Sequence, residues 1–362
     1  MQFLPRCENK ERRILINGVE ADLIARIFEA AVVVSPGSPG RCLGLWPRRL
    51  ETRLLHKMCL VIVALSSLGT PAPSTAQNPP SQKIDVMIVP DITIQSQDYA
   101  DARKAFHTKL LHEGPAPHQE DCKTSKPPLG VSEIDFPSGA LRLRAWLNRP
   151  STQETNKYPG VVFLHGGFCF DQSDWQETEA FRAAGFIVML PNRRGENGQP
   201  GNFTMFYDEV EDVISAAEYL RTQPYIDQGQ LYLAGVSTGG TLTMLAALTY
   251  PHFRAAASLS GSPDAVGYTR HAVAIGAQAD VPFDYRDVRE LQLRSARAYA
   301  ASFKCPTRLY YRTQEKHFAL STQPTANLAR EHGLDVQAVA VEGATLVQKM
   351  PRYEWRSTSF EK

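Results

Sequence analysis

From residue 161 onward, the pattern of apolar and polar positions alternates between two kinds of segment. Strand-length runs that are almost wholly apolar occur at 161–164, 186–190, 231–235, 255–259, 307–311 and 335–341. Segments with apolar residues at helical spacing separate them near 174–184, 207–222, 240–249 and 322–332. Apolar strands that alternate with helices are typical of a parallel sheet with helices on both faces. We therefore predict an α/β fold with a mostly parallel sheet.

Segments outside this alternation complete the predicted domain. Residues 131–136 and 141–147 alternate apolar and polar positions around a Pro-Ser-Gly turn, which predicts a hairpin of half-buried strands. The segment 262–303 is too long for a plain connection between strands, so we predict a small cap with at least one helix. The domain would span 131–362, preceded by a lead-in segment, 77–130, with a helix over 99–113.

The N-terminal region does not continue this pattern. Residues 58–76 begin, directly after Lys57, with an apolar run of 12 residues and end in small residues at Ala76. A positive flank, a short apolar stretch and small residues before a cleavage point are typical of a secretory signal peptide. The run is shorter than the roughly 20 residues of a membrane span, so we expect no stable membrane insertion after cleavage. We predict export to the periplasm or the medium, with 1–57 an extension that is removed or not translated.

Composition and charge narrow the function further. The chain holds 39 Lys and Arg residues against 38 Asp and Glu residues and no long basic run, which argues against a nucleic-acid partner. Cys122, Cys169 and Cys305 lie beyond the predicted leader and are far apart in sequence. Three such cysteines are not a disulfide framework and could form at most one bridge, and we expect small buried or half-buried thiols instead. The sequence predicts neither a cofactor nor a metal ion.

One stretch carries the signature of nucleophilic catalysis. A strand-length apolar run enters Gly235-Val-Ser237-Thr-Gly239-Gly240 and leaves into an apolar helix. A serine in such a Gly-x-Ser-x-Gly turn sits on a strained strand-to-helix turn that exposes its hydroxyl at the end of the sheet. Small flanking residues are needed there because the backbone is crowded. Ser237 is therefore the candidate nucleophile.

With a second motif, His165-Gly166-Gly167-Phe168 after a strand, residues 131–343 resemble the α/β-hydrolase superfamily. The similarity is to the branch of dienelactone hydrolases and prolyl oligopeptidase catalytic domains. This resemblance implies an oxyanion hole formed by the N–H groups of Gly167 and Thr238, with Phe168 as the alternative to Gly167. We expect His165 to orient the loop rather than to act as a base.

The resemblance also implies an acid after a late strand. Glu315 follows the run at 307–311, where this branch usually carries Asp, and is the first candidate. Asp264, which follows the run at 255–259, is the second, because some α/β-hydrolases place the acid there.

The base that the resemblance implies is missing. The family's histidine follows the last strand, but Thr345 and Leu346 occupy the expected positions after Gly343. His271 and His317 are the remaining candidates. The final helix of the fold is absent from the pattern after Gly343 as well, so we hypothesise that the reading frame shifts there.

Two functions remain open. The first is a secreted serine hydrolase that cleaves a carboxylic ester, or an amide or peptide bond, through an acyl-enzyme on Ser237. Its partner would be a small acyl or peptide substrate. The lead-in is too short for the propeller that gates access in oligopeptidases, which favours a small ester over a peptide. The second is a catalytically inactive relative that at most binds ligands in the same pocket.

Overall fold

The computed structural model of the chain describes Leu15–Ile16, Val19–Glu20 and residues 89–122, 125–150 and 157–341. Strands β1 (Leu15–Ile16) and β2 (Val19–Glu20) pair antiparallel. The rest of the predicted extension 1–57, the signal peptide 58–76 and the segment after Gly343 lie outside the described residues. None of the helices in the described ranges is long and apolar enough to cross a membrane.

An eight-stranded sheet forms the centre of the domain. Its strands are β3 (Val131–Ser138), β4 (Leu141–Asn148), β5 (Tyr158–Leu164), β6 (Ile187–Pro191), β7 (Ile226–Val236), β8 (Ala255–Leu259), β9 (Thr307–Arg312) and β10 (Val336–Val341). They lie in the order β10-β9-β8-β7-β5-β6-β4-β3. The six strands from β5 to β10 are parallel, and the β3–β4 hairpin pairs antiparallel onto β6. The predicted parallel sheet with an antiparallel hairpin at one edge is confirmed.

Eight helices accompany the sheet in the described residues. They are α1 (Tyr99–Lys104), α2 (Gln172–Glu177), α3 (Glu179–Ala183), α4 (Glu209–Arg221), α5 (Thr238–Ala247), α6 (Ala265–Ala274), α7 (Val288–Gln292) and α8 (Lys316–Glu331). Two differ from the predicted pattern. The helix predicted near 174–184 is divided at Thr178, and the helix predicted over 99–113 ends at Lys104. Beyond it, Leu110 leaves the helical path to form a β-bridge with Phe283.

Both faces of the sheet are buried, because successive residues of each strand point to opposite sides. Val162 and Leu164 of β5 belong to the larger core, which also holds the buried side chains of α4 and α5. Val161 and Phe163 of the same strand belong to a second core, which includes the aromatic side chains of α2 and α3. Strands apolar on both faces therefore reflect two covering layers, as the sequence pattern predicts.

The lead-in segment packs against residues 262–303, the segment predicted to be a cap. The Leu111 N–H donates to the Pro282 carbonyl at 2.7 Å, and the Tyr99 hydroxyl donates to the Leu293 carbonyl at 2.7 Å. Residues 262–303 contain α6, α7 and two 3₁₀ turns, Gln278–Asp280 and Ala296–Ser302. The lead-in is therefore attached to the domain in two ways, by the peptide chain and by hydrogen bonds to residues 262–303.

Helix α5 approaches the end of β8 at two glycines. A Cβ added at Gly261 would lie 2.4 Å from the Gly240 carbonyl carbon and 2.6 Å from the Thr241 nitrogen. Both atoms belong to the backbone and cannot rotate away, so no side chain fits at Gly261 without displacing α5.

We expect Gly261→Ala to lower the free energy of unfolding by about 2 kcal/mol, because it forces the α5 backbone away from the end of β8. The matched control is Gly267→Ala in α6, where an added Cβ meets nothing within 4 Å. That change should stabilise the chain by up to about 1 kcal/mol, since alanine favours a helix over glycine. Denaturant unfolding measures both, and equal stabilities for the two variants would contradict the close approach of the two backbones.

Candidate active site

Ser237 sits on the strained turn between β7 and α5. Its backbone has φ 53° and ψ −115°, a conformation that costs a non-glycine residue about 1–3 kcal/mol. The Ser237 N–H donates to the Leu259 carbonyl at 2.8 Å, which ties the turn to the end of β8. A Cβ on Gly239 would lie 2.3 Å from the Leu164 carbonyl oxygen, so the flanking glycine is required. The geometry is that of the elbow that the sequence predicts.

The loop after β5 lies directly beside this elbow. A Cβ added at Gly166 would be 3.5 Å from the Cβ of Ser237, and Gly167 has φ 68°. The Thr238 hydroxyl donates to the Gly167 carbonyl at 2.7 Å. Thr238 is also the first residue of α5, where backbone N–H groups have no acceptor within the helix. The structure therefore brings Ser237 and the predicted oxyanion donors Gly167 and Thr238 together.

His165 is fully buried behind the loop. Its Nδ1 lies 3.0 Å from the Gly166 carbonyl oxygen, and its Nε2 lies 3.2 Å from Glu196 Oε2. A ring engaged on both sides with the loop and with a buried carboxylate favours the predicted loop-orienting role over that of a base.

Two charged residues that the sequence analysis did not single out complete this buried cluster. Arg193 and Glu196 follow β6, and the Arg193 Nε donates to Glu196 Oε2 at 2.7 Å. Burial raises the pKa of the Glu196 carboxyl, but the charges and hydrogen bonds of Arg193 and His165 outweigh burial, so the pKa lies below its ordinary value. Glu196 is therefore an anion at neutral pH. An Arg and a Glu three residues apart, directly after a wholly apolar strand, are the signal that could have found them.

Glu315, the first candidate acid, is buried at the same edge of the sheet. Only 1% of its surface is exposed, and Oε2 accepts a hydrogen bond from the Ser260 hydroxyl at 2.8 Å. Ser260 follows β8 with φ 48°, and its N–H donates to the Tyr310 carbonyl of β9. The Ser237 N–H donates to the carbonyl of Leu259, the residue before Ser260. Hydrogen bonds therefore connect the end of β7 to β8 and the end of β8 to β9. Ser260 is a third residue that sequence reasoning missed.

The other titratable candidates lie elsewhere or outside the described residues. Asp264 caps α6, where its carboxylate accepts from the Val266 N–H at 2.8 Å, and it lies 3.5 Å from Arg297. His271 is an exposed residue of α6. The side chain of His317 in α8 and the positions Thr345 and Leu346 fall outside the described part. Among the described residues, no group of three or more His, Cys, Asp or Glu side chains could hold a metal ion.

A disulfide joins the lead-in to the loop after β5. Cys122 and Cys169, 47 residues apart, are bonded, so the prediction of thiols is wrong for these two. Sequence spacing could not show that the lead-in crosses this loop. Close by, Gln119 donates to the Phe168 carbonyl and accepts from the Asn197 N–H, each at 2.8 Å. Cys305 is a buried thiol, as predicted, and burial raises its pKa to about 12.

A small cavity lies between the lead-in and the inserted segment. Its volume is about 150 Å³. Its lining residues are His112, Gly114, Pro115, Pro117, Phe203, Ala279, Asp280 and Pro282. The Phe203 ring contacts the Phe168 ring edge-on, with 5.1 Å between centroids. Phe203, which lines the cavity, thus contacts Phe168 of the loop after β5.

Comparison with known proteins agrees with this geometry. Residues 172–307 match the model of the prolyl oligopeptidase family, Peptidase_S9. The chain is 24% identical over 218 residues to the uncharacterized peptidase YtmA of Bacillus subtilis, covering 60% of this chain and 77% of YtmA. It is 27% identical over 208 residues to the esterase candidate YitV of the same organism, covering 48% of this chain and 81% of YitV.

A solved structure shows the same fold. The acylaminoacyl peptidase of Pyrococcus horikoshii superposes with a TM-score of 0.52 and 21% identity, over 64% of this chain. The match spans only 39% of that peptidase, so the chain corresponds to about two fifths of its length. The predicted α/β-hydrolase fold, in its S9-like form, is confirmed.

The two candidate acids can be separated by matched substitutions that change charge and keep the local hydrogen bonds. Glu315→Gln can still accept from Ser260, and Asp264→Asn remains a good helix cap. If Glu315 is the acid, its variant should slow ester turnover and the reaction of Ser237 with a fluorophosphonate by about 10²-fold or more, because the negative charge that orients and stabilises the base is lost. Asp264→Asn should change the rates less than twofold. The opposite ranking would make Asp264 the acid.

Proposed function

We propose that this chain, an S9-like α/β-hydrolase domain over residues 131–341, is a serine hydrolase that transfers an acyl group to Ser237. The observation that carries the proposal is the strained Ser237 lying beside Gly167 and Thr238, at the edge of the sheet that also holds the buried Glu315. Serine is a weak nucleophile by itself and needs such surroundings to react.

The chemistry follows from this placement. The Ser237 Oγ attacks the substrate carbonyl, and the carbonyl oxygen gains negative charge that the N–H groups of the oxyanion hole stabilise. The bond to the leaving group then breaks, leaving an acyl-enzyme, and water hydrolyses the acyl-enzyme in a second step. The Ser237 proton has to pass to a base and then to the leaving group, and the Glu315 carboxylate would stabilise the charged base.

A small carboxylic ester is the substrate that we favour. This choice carries over the expectation from the sequence, because the cavity of about 150 Å³ beside Phe203 is lined by none of Ser237, Gly167 and Thr238 and gives no measure of the acyl group. The similarity to both a peptidase and an esterase candidate supports acyl transfer without selecting the leaving group.

A fluorophosphonate probe should label the wild-type chain on Ser237 and leave Ser237→Ala unlabelled. Peptide mapping of the adduct locates the modified residue, and unchanged thermal unfolding of the variant serves as the control for folding. In parallel, p-nitrophenyl acetate and butyrate should be hydrolysed faster than the octanoate. Faster hydrolysis of the octanoate would contradict the small-ester proposal without affecting the assignment of Ser237 as the nucleophile.

The alternative function is an inactive relative that binds ligands in the same pocket. It is favoured by one observation: residues 344–349, where the family carries its base, contain no histidine. The fluorophosphonate experiment distinguishes the two functions, because a folded wild-type chain that is labelled no faster than Ser237→Ala supports the inactive relative. Reading the coding DNA beyond Gly343 then shows whether a shifted frame supplies the histidine.

We also propose that the protein is exported. The signal-like segment 58–76 supports export, and so does the Cys122–Cys169 disulfide, since structural disulfides form and persist in oxidising compartments.

Mass spectrometry of the protein isolated from its source should find an N-terminus near Gln77. Mapping without reductant should find Cys122 and Cys169 linked, and alkylation should spare Cys305 because its buried thiol is protonated. The same mapping after reduction is the control and should add label at Cys122 and Cys169. A cytosolic chain that begins at Met1 and carries free thiols would overturn export.

A further inference from the structure

We infer that Arg193 is a positioning residue for the oxyanion hole, which it orients through the carbonyl of Gly167. The inference rests on the proposed hydrolase function and adds to it a residue from a different loop. Arg193 follows β6, and only 1% of its surface is exposed, so its charge is committed to partners inside the protein.

The Gly167 carbonyl is held by two donors. The Arg193 Nη2 donates to it at 2.9 Å, and the Thr238 hydroxyl donates to it at 2.7 Å. One donor comes from the loop after β6 and the other from the residue next to the nucleophile. The carbonyl of a loop glycine with positive φ is thereby fixed from two sides.

The planarity of the peptide bond transmits this constraint to the N–H groups. In a trans peptide unit, the carbonyl and the following N–H point in opposite directions. The Gly167 carbonyl points to Arg193, so the Phe168 N–H of that unit points away from it. In the preceding unit, the Gly166 carbonyl faces His165 Nδ1 at 3.0 Å, so the Gly167 N–H also points away from the buried cluster. The contact of Arg193 therefore fixes the Phe168 N–H directly, and the contact of His165, whose Nε2 lies 3.2 Å from the Arg193 Nη2, fixes the Gly167 N–H.

The guanidinium group suits this task because it can serve several acceptors in one plane. Its Nε donates to Glu196 Oε2 at 2.7 Å while Nη2 donates to Gly167 and lies 3.2 Å from His165 Nε2. A lysine ammonium is a compact point charge and cannot reproduce this planar fork. Glu196 neutralises the buried charge, so the hydrogen bond to the loop does not leave an unpaired cation in the interior.

Arg194 provides a matched control in the next position. It pairs with Asp212 of α4 through Nε at 3.0 Å and Nη2 at 2.8 Å, as Arg193 pairs with Glu196. Its hydrogen bonds in the described residues go to Asp212, and its other close ion pair, at 3.5 Å, is with Asp208. Removing Arg194 thus deletes a similar ion pair without touching the loop after β5.

The experiment compares Arg193→Lys and the double variant Arg193→Met/Glu196→Gln with the matched control Arg194→Met/Asp212→Asn. Each double variant removes both charges of its ion pair, so no unpaired carboxylate remains buried to unfold the chain. Three quantities are measured on the full chain: the thermal midpoint, hydrogen exchange of the peptide that contains 166–170, and the concentration dependence of fluorophosphonate labelling of Ser237.

We expect faster exchange in the peptide containing 166–170 in both Arg193 variants and unchanged exchange there in Arg194→Met/Asp212→Asn. The maximal labelling rate should fall about tenfold or more in the Arg193 variants, up to the roughly 10²–10³-fold loss that complete removal of an oxyanion donor causes. The probe concentration for half-maximal rate should change less than twofold, because the oxyanion contacts act on the transition state.

Three outcomes would overturn the role of Arg193. They are unchanged exchange in the loop, a wild-type labelling rate in Arg193→Met/Glu196→Gln, and an equal loss of rate in Arg194→Met/Asp212→Asn. A folded wild-type chain that takes no label at all would overturn the proposed hydrolase itself and this role with it, so the two failures give different results.

Discussion

The active edge of the sheet depends on the close approach of three backbone segments around Ser237. Strand β7, helix α5 and the loop after β5 meet at distances that leave no room for a Cβ on Gly239, because the Leu164 carbonyl would lie 2.3 Å from it. At the same place Ser237 has a positive φ, and the loop after β5 lies beside it. The cost of the strained turn is met by the packing of the apolar helix α5, which is buried along its whole length.

The loop after β5 has no regular structure, so its shape depends on side chains that come from elsewhere. Arg193 and Thr238 hold the Gly167 carbonyl, and Gln119 holds the Phe168 carbonyl. The Asn197 amide pairs with both backbone groups of Phe170. Backbone groups of Gly167, Phe168 and Phe170 in this partly buried loop are thus hydrogen-bonded by side chains from separate segments of the chain.

Much of the fold could be predicted from sequence, because its strands are apolar on both faces and its helices separate them at regular intervals. The runs at 161–164 and 255–259 lie within β5 and β8, and the Ser237 elbow follows from a local motif. Contacts between distant loops could not be predicted in this way, since periodicity says nothing about the path of a loop. Arg193 at Gly167, Ser260 at Glu315 and the Cys122–Cys169 bond all belong to that group. The early end of α1 at Lys104 was not predicted for the same reason, because a residue beyond it, Leu110, pairs with the inserted segment at Phe283.

The disulfide makes the shape of the loop after β5 dependent on a chemical event that follows synthesis. Cys169 lies two residues beyond Gly167, and its partner Cys122 belongs to the lead-in, which precedes the sheet in the chain. While the two sulfurs are reduced, the lead-in is held to this loop only by noncovalent contacts such as those of Gln119. Oxidation turns that association into a permanent link between the first-made part of the domain and the region around the nucleophile. A chain in a reducing environment therefore lacks the covalent restraint on the loop beside Ser237.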